Sequence, residues 1–143
     1  MTNFIEEPLY KTIIENIPIL CVDIVVKYKD QFVLVKRNTE PMKDVFWPIG
    51  GRVYKNESAI SAAKRKLLKE ANIQNYNYLH SIGFYENVFL NNAFSLNTLY
   101  HTLSIVFECT IDDSDINNIK LDDTSSDWKL DNELPILFKL KLF

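Results

Sequence analysis

Residues 50 to 73, GGRVYKNESAISAAKRKLLKEANI, join a strand end, a turn and a helix in a form suited to handling phosphate. Gly50 and Gly51 carry no side chains, so the backbone there can come close to a phosphate, and Arg52 follows at once with a guanidinium. Lys66, Lys69 and Glu70 stand at i, i+3 and i+4, which on a helix brings their side chains together above one face. Two ammonium groups there can neutralise phosphate, and one carboxylate can hold one divalent cation. Both lysines can equally well be solvated on an exposed face, and spacing alone leaves that open. Asp23 is an acid inside the otherwise apolar run LCVDIVV. His80 and His101 are the only histidines, and His101 reads as a strand residue with a satisfied imidazole.

These residues need elements to hold them. EPLYKTIIEN, residues 7 to 16, places Leu9, Ile13 and Ile14 at helical spacing, with Pro8 in the first turn and Pro18 ending the helix. LCVDIVVKYKDQFVLVKR reads as two strands joined by a tight turn at Lys29 and Asp30. NTEPMKDVFWP is a loop, and RVY a short strand after the two glycines. From Ser58 to Ala71 the pattern predicts a helix with Ile60, Ala63, Leu67 and Leu68 on its buried face, capped by Asn56 or Ser58. YNYLHSIGFYENVF and LYHTLSIVFECTI are long strands separated by the polar loop LNNAFSLNT. DDSDINNIKLDDTSSD is a loop with a helical turn, WKL a last short strand, and NELPILFKLKLF a terminal amphipathic segment read as helical. Together they predict one domain over residues 1–143, an α/β/α sandwich on a mixed β-sheet.

The bulk composition narrows the function. With 143 residues, 47% hydrophobic and 24% charged, the chain has the balance of a soluble globule with a single core. A net charge of -3 argues against nucleic-acid binding driven by a basic surface. No apolar run is long enough to span a membrane, and the acidic start MTNFIEEPLY lacks a signal-peptide pattern. Cys21 and Cys109 sit in apolar, strand-like runs and read as reduced core thiols, so a cytoplasmic location is expected.

Gly51, Glu57 and Arg65, followed by KLLKEANI, resemble the Nudix box G-x5-E-x7-R-E-U-x-E-E-x-G-U, whose families mostly hydrolyse nucleoside diphosphates linked to another group. The resemblance implies that Glu57 and Arg65 brace the loop against the helix. It also marks a departure, because of the box's three later acids only Glu70 is kept; Lys66 and Lys69 replace the others, and Asn72 replaces a glycine. NIPILCVDIVVKYKDQFVLVKRNTEPMKDVFWPIGGRV and GFYENVFLNNAFSLNTLYHTLSIVFEC further resemble the GDP-mannose mannosyl hydrolase branch. In that branch water attacks the anomeric carbon of the sugar and the nucleoside diphosphate leaves intact. Carried over, the resemblance implies a single Mg2+ or Mn2+ on the Gly50 carbonyl and the Glu70 carboxylate. It implies Arg37 and Arg52 on the diphosphate, with Lys66 or Lys69 adding charge, and Asp23 facing the sugar. Phe4, Ile5 and Tyr10 fall where the branch holds its guanine, and a homodimer is suggested. The branch's later Gln-His pair falls on Thr124 and Ser125, which leaves Asp122, Asp123 or Asp127 as substitute bases. A module that binds a diphosphate ligand without turnover, and a hydrolase cutting the phosphoanhydride, are the other readings.

Overall fold

The structure, a computed structural model, describes residues 4–90 and 99–143. Its organising strand is β1, Ile19–Tyr28, whose sequence ILCVDIVVKY is apolar on both faces for most of its length. Such a run suits a strand covered on both sides. Along one edge β1 pairs in parallel with β6, Tyr100–Thr110, over the whole register from Ile19 opposite Thr102 to Lys27 opposite Thr110. The other edge is shared. Cys21 to Ile24 pair with β4, Ile49–Arg52, and Val26 to Tyr28 pair with β2, Gln31–Arg37, both antiparallel. β7, Ser125–Asp131, runs along the outer edge of β2, and β3, Phe46–Trp47, pairs with Val35 and Lys36 on its other edge. On the far side β5, Asn77–Phe89, pairs with β6, and β8, Lys141–Leu142, closes that edge.

Alternation along β1 gives the sheet two apolar faces. Val22, Ile24 and Val26 meet α2, Ala59–Ala71, while Ile19 and Cys21 meet Ile14 of α1, Glu7–Asn16. The sheet is therefore sandwiched between helices, as the sequence predicts. The second helix of the sandwich is the N-terminal one, however, and the C-terminal segment is not helical. Pro135 interrupts that segment, and Phe138, Leu140 and Leu142 alternate with lysines at the period of extended chain. It turns at Pro135, inserts Phe138 between Trp47 and Tyr85, and ends as β8.

The buried face of α2 is also rotated from expectation. Ala62, Ala63, Leu67 and Ala71 are fully buried, whereas Ile60 and Leu68 are 39% and 53% exposed. Alanines at this spacing let the helix lie close on the strands, and larger side chains are left at its shoulders. Ser58, not Asn56, caps the helix, accepting a hydrogen bond from the Ser61 amide at 3.2 Å. The strand expected at RVY begins earlier, at Ile49, because the glycines themselves pair with β1. β7 is longer than WKL, and the helical turn is α3, Asp113–Asn117. The hairpin turn at Lys29 and Asp30 forms as predicted, with Lys29 at φ 53°. The loop LNNAFSLNT lies, from Asn91 to Thr98, outside the described residues. Among the described residues no helix is long and apolar enough to cross a membrane, and both cysteines are free and buried.

Candidate functional site

Residues paired across a sheet share a face, and this rule builds the site. Asp23 lies opposite Gly50, Cys21 opposite Arg52 on one side and Ser104 on the other, and Ser104 opposite Tyr85. Three strands thus bring Asp23, Gly50, Arg52 and Ser104 to one cavity of about 100 Å³, which Arg37 enters from the end of β2. The register of β2 against β7 slips between Lys36 and Arg37. Simple alternation would send Arg37 to the face of Val33 and Val35, and an irregularity of this kind re-aims a side chain. Trp47 and Tyr85 form the cavity's aromatic wall, backed by Phe138 at ring-centroid distances of 5.4 and 5.1 Å.

Asp23 is the one carboxylate lining this cavity, and it is only 7% exposed. Burial pushes its pKa up to about 7, against the opposing pull of the Ser104 hydrogen bond and the Arg37 guanidinium, with Glu70 adding to the rise. It can therefore gain or lose a proton near neutral pH. Cys21, also in the lining, has its thiol pushed up to about 12 by burial and is no nucleophile.

Arg52 stacks 4.9 Å from the ring centre of Tyr54 and 5.7 Å from that of Tyr10, whose hydroxyl lies 3.3 Å from the Tyr100 hydroxyl. A bidentate pair holds this arrangement from below. Arg65 donates from Nε to Glu57 Oε1 at 2.7 Å and from Nη2 to Glu57 Oε2 at 3.0 Å, and Nη2 also reaches the Arg52 carbonyl at 3.0 Å. Its guanidinium lies 3.8 Å from the Tyr54 ring centre. The expected brace thus also reaches the backbone of Arg52. Replacing Arg65 by Ala should cost about 2–3 kcal/mol in urea unfolding, because it strands a largely buried Glu57. Lys at this position should recover less than half, lacking the fork and the flat stacking face.

The helix face behaves differently from a set of converging acids. Lys66 and Glu70 are both largely buried and form a close ion pair, while Lys69 points to solvent. Burial raises the pKa of Glu70, and the Lys66 ammonium opposes that rise. Gly51 faces this pair: a Cβ built there would fall 2.6 Å from Lys66 Cε and 2.7 Å from Nζ. Gly50 and Gly51 therefore present opposite faces of β4, one to Asp23 and one to Lys66, and β4 pairs with β1 alone. The amide of Asp122 donates to the Glu70 carbonyl at 3.3 Å, and its Oδ2 is buried without a partner. Among the described residues no group of three or more His, Cys, Asp or Glu could hold a metal ion. The cation at Glu70 is an ammonium, and a divalent ion sharing that carboxylate would meet a like charge at close range. A single resident ion on Gly50 and Glu70 does not fit these residues as they stand.

The remaining expected residues are scattered. Phe4 is 76% exposed and Ile5 half-buried, while Tyr10 meets the site through Arg52. Thr124 donates its amide and hydroxyl to Asp122 Oδ1 at 3.0 and 2.5 Å, while Ser125 begins β7 opposite Arg37. Asp123 and Asp127 are exposed. His80 is exposed, and His101 Nε2 lies 3.8 Å from Glu86 Oε2, outside the cavity. Sequence reasoning missed Ser104, Trp47 and Tyr85. Ser104 had a signal: a hydroxyl at every second position, Thr102 then Ser104, in an otherwise apolar strand.

Comparison with known proteins fits this geometry. A family model described as NUDIX domain matches residues 18–134. The low-salt glycan biosynthesis protein Agl8 of Haloferax volcanii is 26% identical over 129 residues, covering 90% of this chain and 80% of that protein. The NUDIX domain of Shewanella oneidensis NrtR, solved with ADP ribose, superposes with a TM-score of 0.61 at 17% identity, over 88% of this chain and 82% of that one. A bifunctional NMN adenylyltransferase/ADP ribose pyrophosphatase from Francisella tularensis, solved with AMP and a manganese ion, gives 0.59 at 24% identity, over 87% of this chain and 36% of that one.

Proposed function

Because this chain belongs to the NUDIX domain family of hydrolases, we propose that it hydrolyses a nucleotide sugar, releasing the nucleoside diphosphate and the free sugar. The observation that carries this reading is the meeting of Asp23 with Arg37 and Arg52 in one cavity. Two guanidinium groups match the charge and the oxygen geometry of a diphosphate. Asp23, with its pKa near 7, takes a proton from water as that water attacks the anomeric carbon. The glycosidic electron pair goes to the bridging oxygen, and the diphosphate leaves with its charge held by Arg37 and Arg52. Cleavage at phosphorus is less well served, because the helix face that would gather metal ions carries Lys66 and Lys69. The Haloferax volcanii relative is a glycan biosynthesis protein, which agrees with a sugar-bearing substrate.

Phosphorus NMR of reactions with a panel of nucleotide sugars, run with and without magnesium, tests this. Nucleoside diphosphate plus free sugar is expected. Nucleoside monophosphate would move the reaction to the phosphoanhydride. Saturable binding with no product would make the chain a recognition module for the same ligands.

A further inference from the structure

We infer that the Lys66 ammonium does in this chain what a divalent ion does in a metal-dependent phosphate site, so that diphosphate binding here needs no metal. The inference rests on the reading that the ligand carries a diphosphate. It starts from the position of one side chain. Lys66 leaves α2 toward the sheet, not toward solvent, and is largely buried, as is its partner Glu70. Its Nζ lies behind Gly51, where the missing side chain gives it room; a Cβ at that residue would fall 2.7 Å away. Gly51 is at the same time part of the cavity lining, next to Arg52. One backbone position thus separates the ammonium from the cavity.

A lysine can occupy this spot only because its charge is matched. Glu70 supplies one carboxylate, and Asp122, bonded to the Glu70 backbone, brings a second with an oxygen that is buried and unpartnered. The charge of Asp122 acts on Glu70, and two neighbouring acids leave the spot attractive to cations. Lys66 fills it permanently and cannot diffuse away. An ammonium is a compact point charge with three donors on a flexible stem, so it can keep Glu70 and still offer a hydrogen bond to a phosphate oxygen at the β4 edge. Lys69, on the exposed side of the helix, has no such role.

The decisive variant is Lys66→Met, which keeps the length and apolar stem and removes the charge. Manganese binding is measured first, by electron paramagnetic resonance, on wild type, Lys66→Met and the double variant Lys66→Met/Glu70→Gln, with no nucleotide present. Wild type should bind no manganese at this site, Lys66→Met should gain one ion, and the double variant should lose it again. GDP binding is then measured by calorimetry in EDTA and in manganese. Wild type should bind equally in both, within about twofold. Lys66→Met should lose roughly tenfold to a hundredfold in EDTA, the worth of one charged hydrogen bond, and recover in manganese. Lys64→Ala, on the exposed face of the same helix, controls for the loss of a positive charge. Should Lys66→Met fail to fold by circular dichroism, Lys66→Gln replaces it.

Glu70-dependent manganese binding by the wild type, or GDP binding that requires metal, overturns the inference. So does a folded Lys66→Met that gains no manganese. Failure of GDP to bind wild type under any condition would instead count against the nucleotide reading, while the manganese result still decides the role of Lys66.

Discussion

Asp23→Asn should cut turnover by roughly a hundredfold or more and yet give a protein more stable than its parent above pH 7. The carboxyl of Asp23 is buried, and its pKa in the folded chain is about 7 against an ordinary 3.8. A raised folded pKa means that the native state binds the proton more tightly than the unfolded chain does. The stability this contributes is complete below the unfolded value and is lost as pH rises through about 7. Wild type should therefore weaken between about pH 4 and 7, by up to about 4 kcal/mol at the usual 1.4 kcal/mol per pH unit, and then level off. Asn cannot ionise, and it still accepts the hydrogen bond that Ser104 gives Asp23, so its unfolding curve should lose this slope. Urea unfolding of both proteins at pH 5 and pH 8 measures the difference directly. Activity should fall by roughly a hundredfold to ten-thousandfold, the usual worth of a positioned general base. Parallel pH slopes for the two proteins would mean that Asp23 is charged in the folded state, and the proposed proton transfer would lose its basis.

The second large effect concerns a single methyl group. A Cβ on Gly50 would lie 2.3 Å from Asp23 Oδ1 and 2.4 Å from the Val22 carbonyl oxygen. The first neighbour is a short side chain packed in the cavity, and the second is backbone of the central strand, so neither can give way. Gly50→Ala must pull β4 off β1 locally, and we expect a loss of about 3–5 kcal/mol, enough to leave much of the protein unfolded at 37 °C. Gly51→Ala meets only the flexible end of Lys66. It should stay folded, with a midpoint within about 1 kcal/mol of wild type. Adjacent glycines with outcomes this different would show that the two faces of β4 carry different tasks. Equal losses would contradict the alternation on which the site is built.

Much of this was legible in the sequence, and the gaps have physical reasons. The strands β1, β2, β5 and β6 were readable because their apolar runs are long and punctuated by turn residues. The Glu57–Arg65 pair was readable because a helix fixes spacing, and the two side chains meet as expected. Ionisation was harder. The direction in which Lys66 points depends on the missing side chain of Gly51 in a different element, and local pattern cannot see across that gap. The terminal segment was misread as helical because Leu134, Phe138 and Leu140 satisfy two periodicities at once, and Pro135 decides between them. The buried face of α2 was misread by weighting size, when the alanines were what allowed close approach.

The parallel edge of β1 also governs when the cavity can form. A chain emerging from the ribosome has the glycine pair, Arg52 and the whole of α2 before β6 is made. The parallel partner of β1, however, is β6, which lies in the second half of the chain and brings Ser104. Long-range parallel pairing of this kind forms slowly, because loop closure precedes any contact that rewards it. Until β6 docks, Asp23 stands beside an unpaired strand in water, ionises like any aspartate, and has no cavity. The segment from Gly50 to Glu70 is thus made early, and Asp23 gains its raised proton affinity only with completion of the sheet.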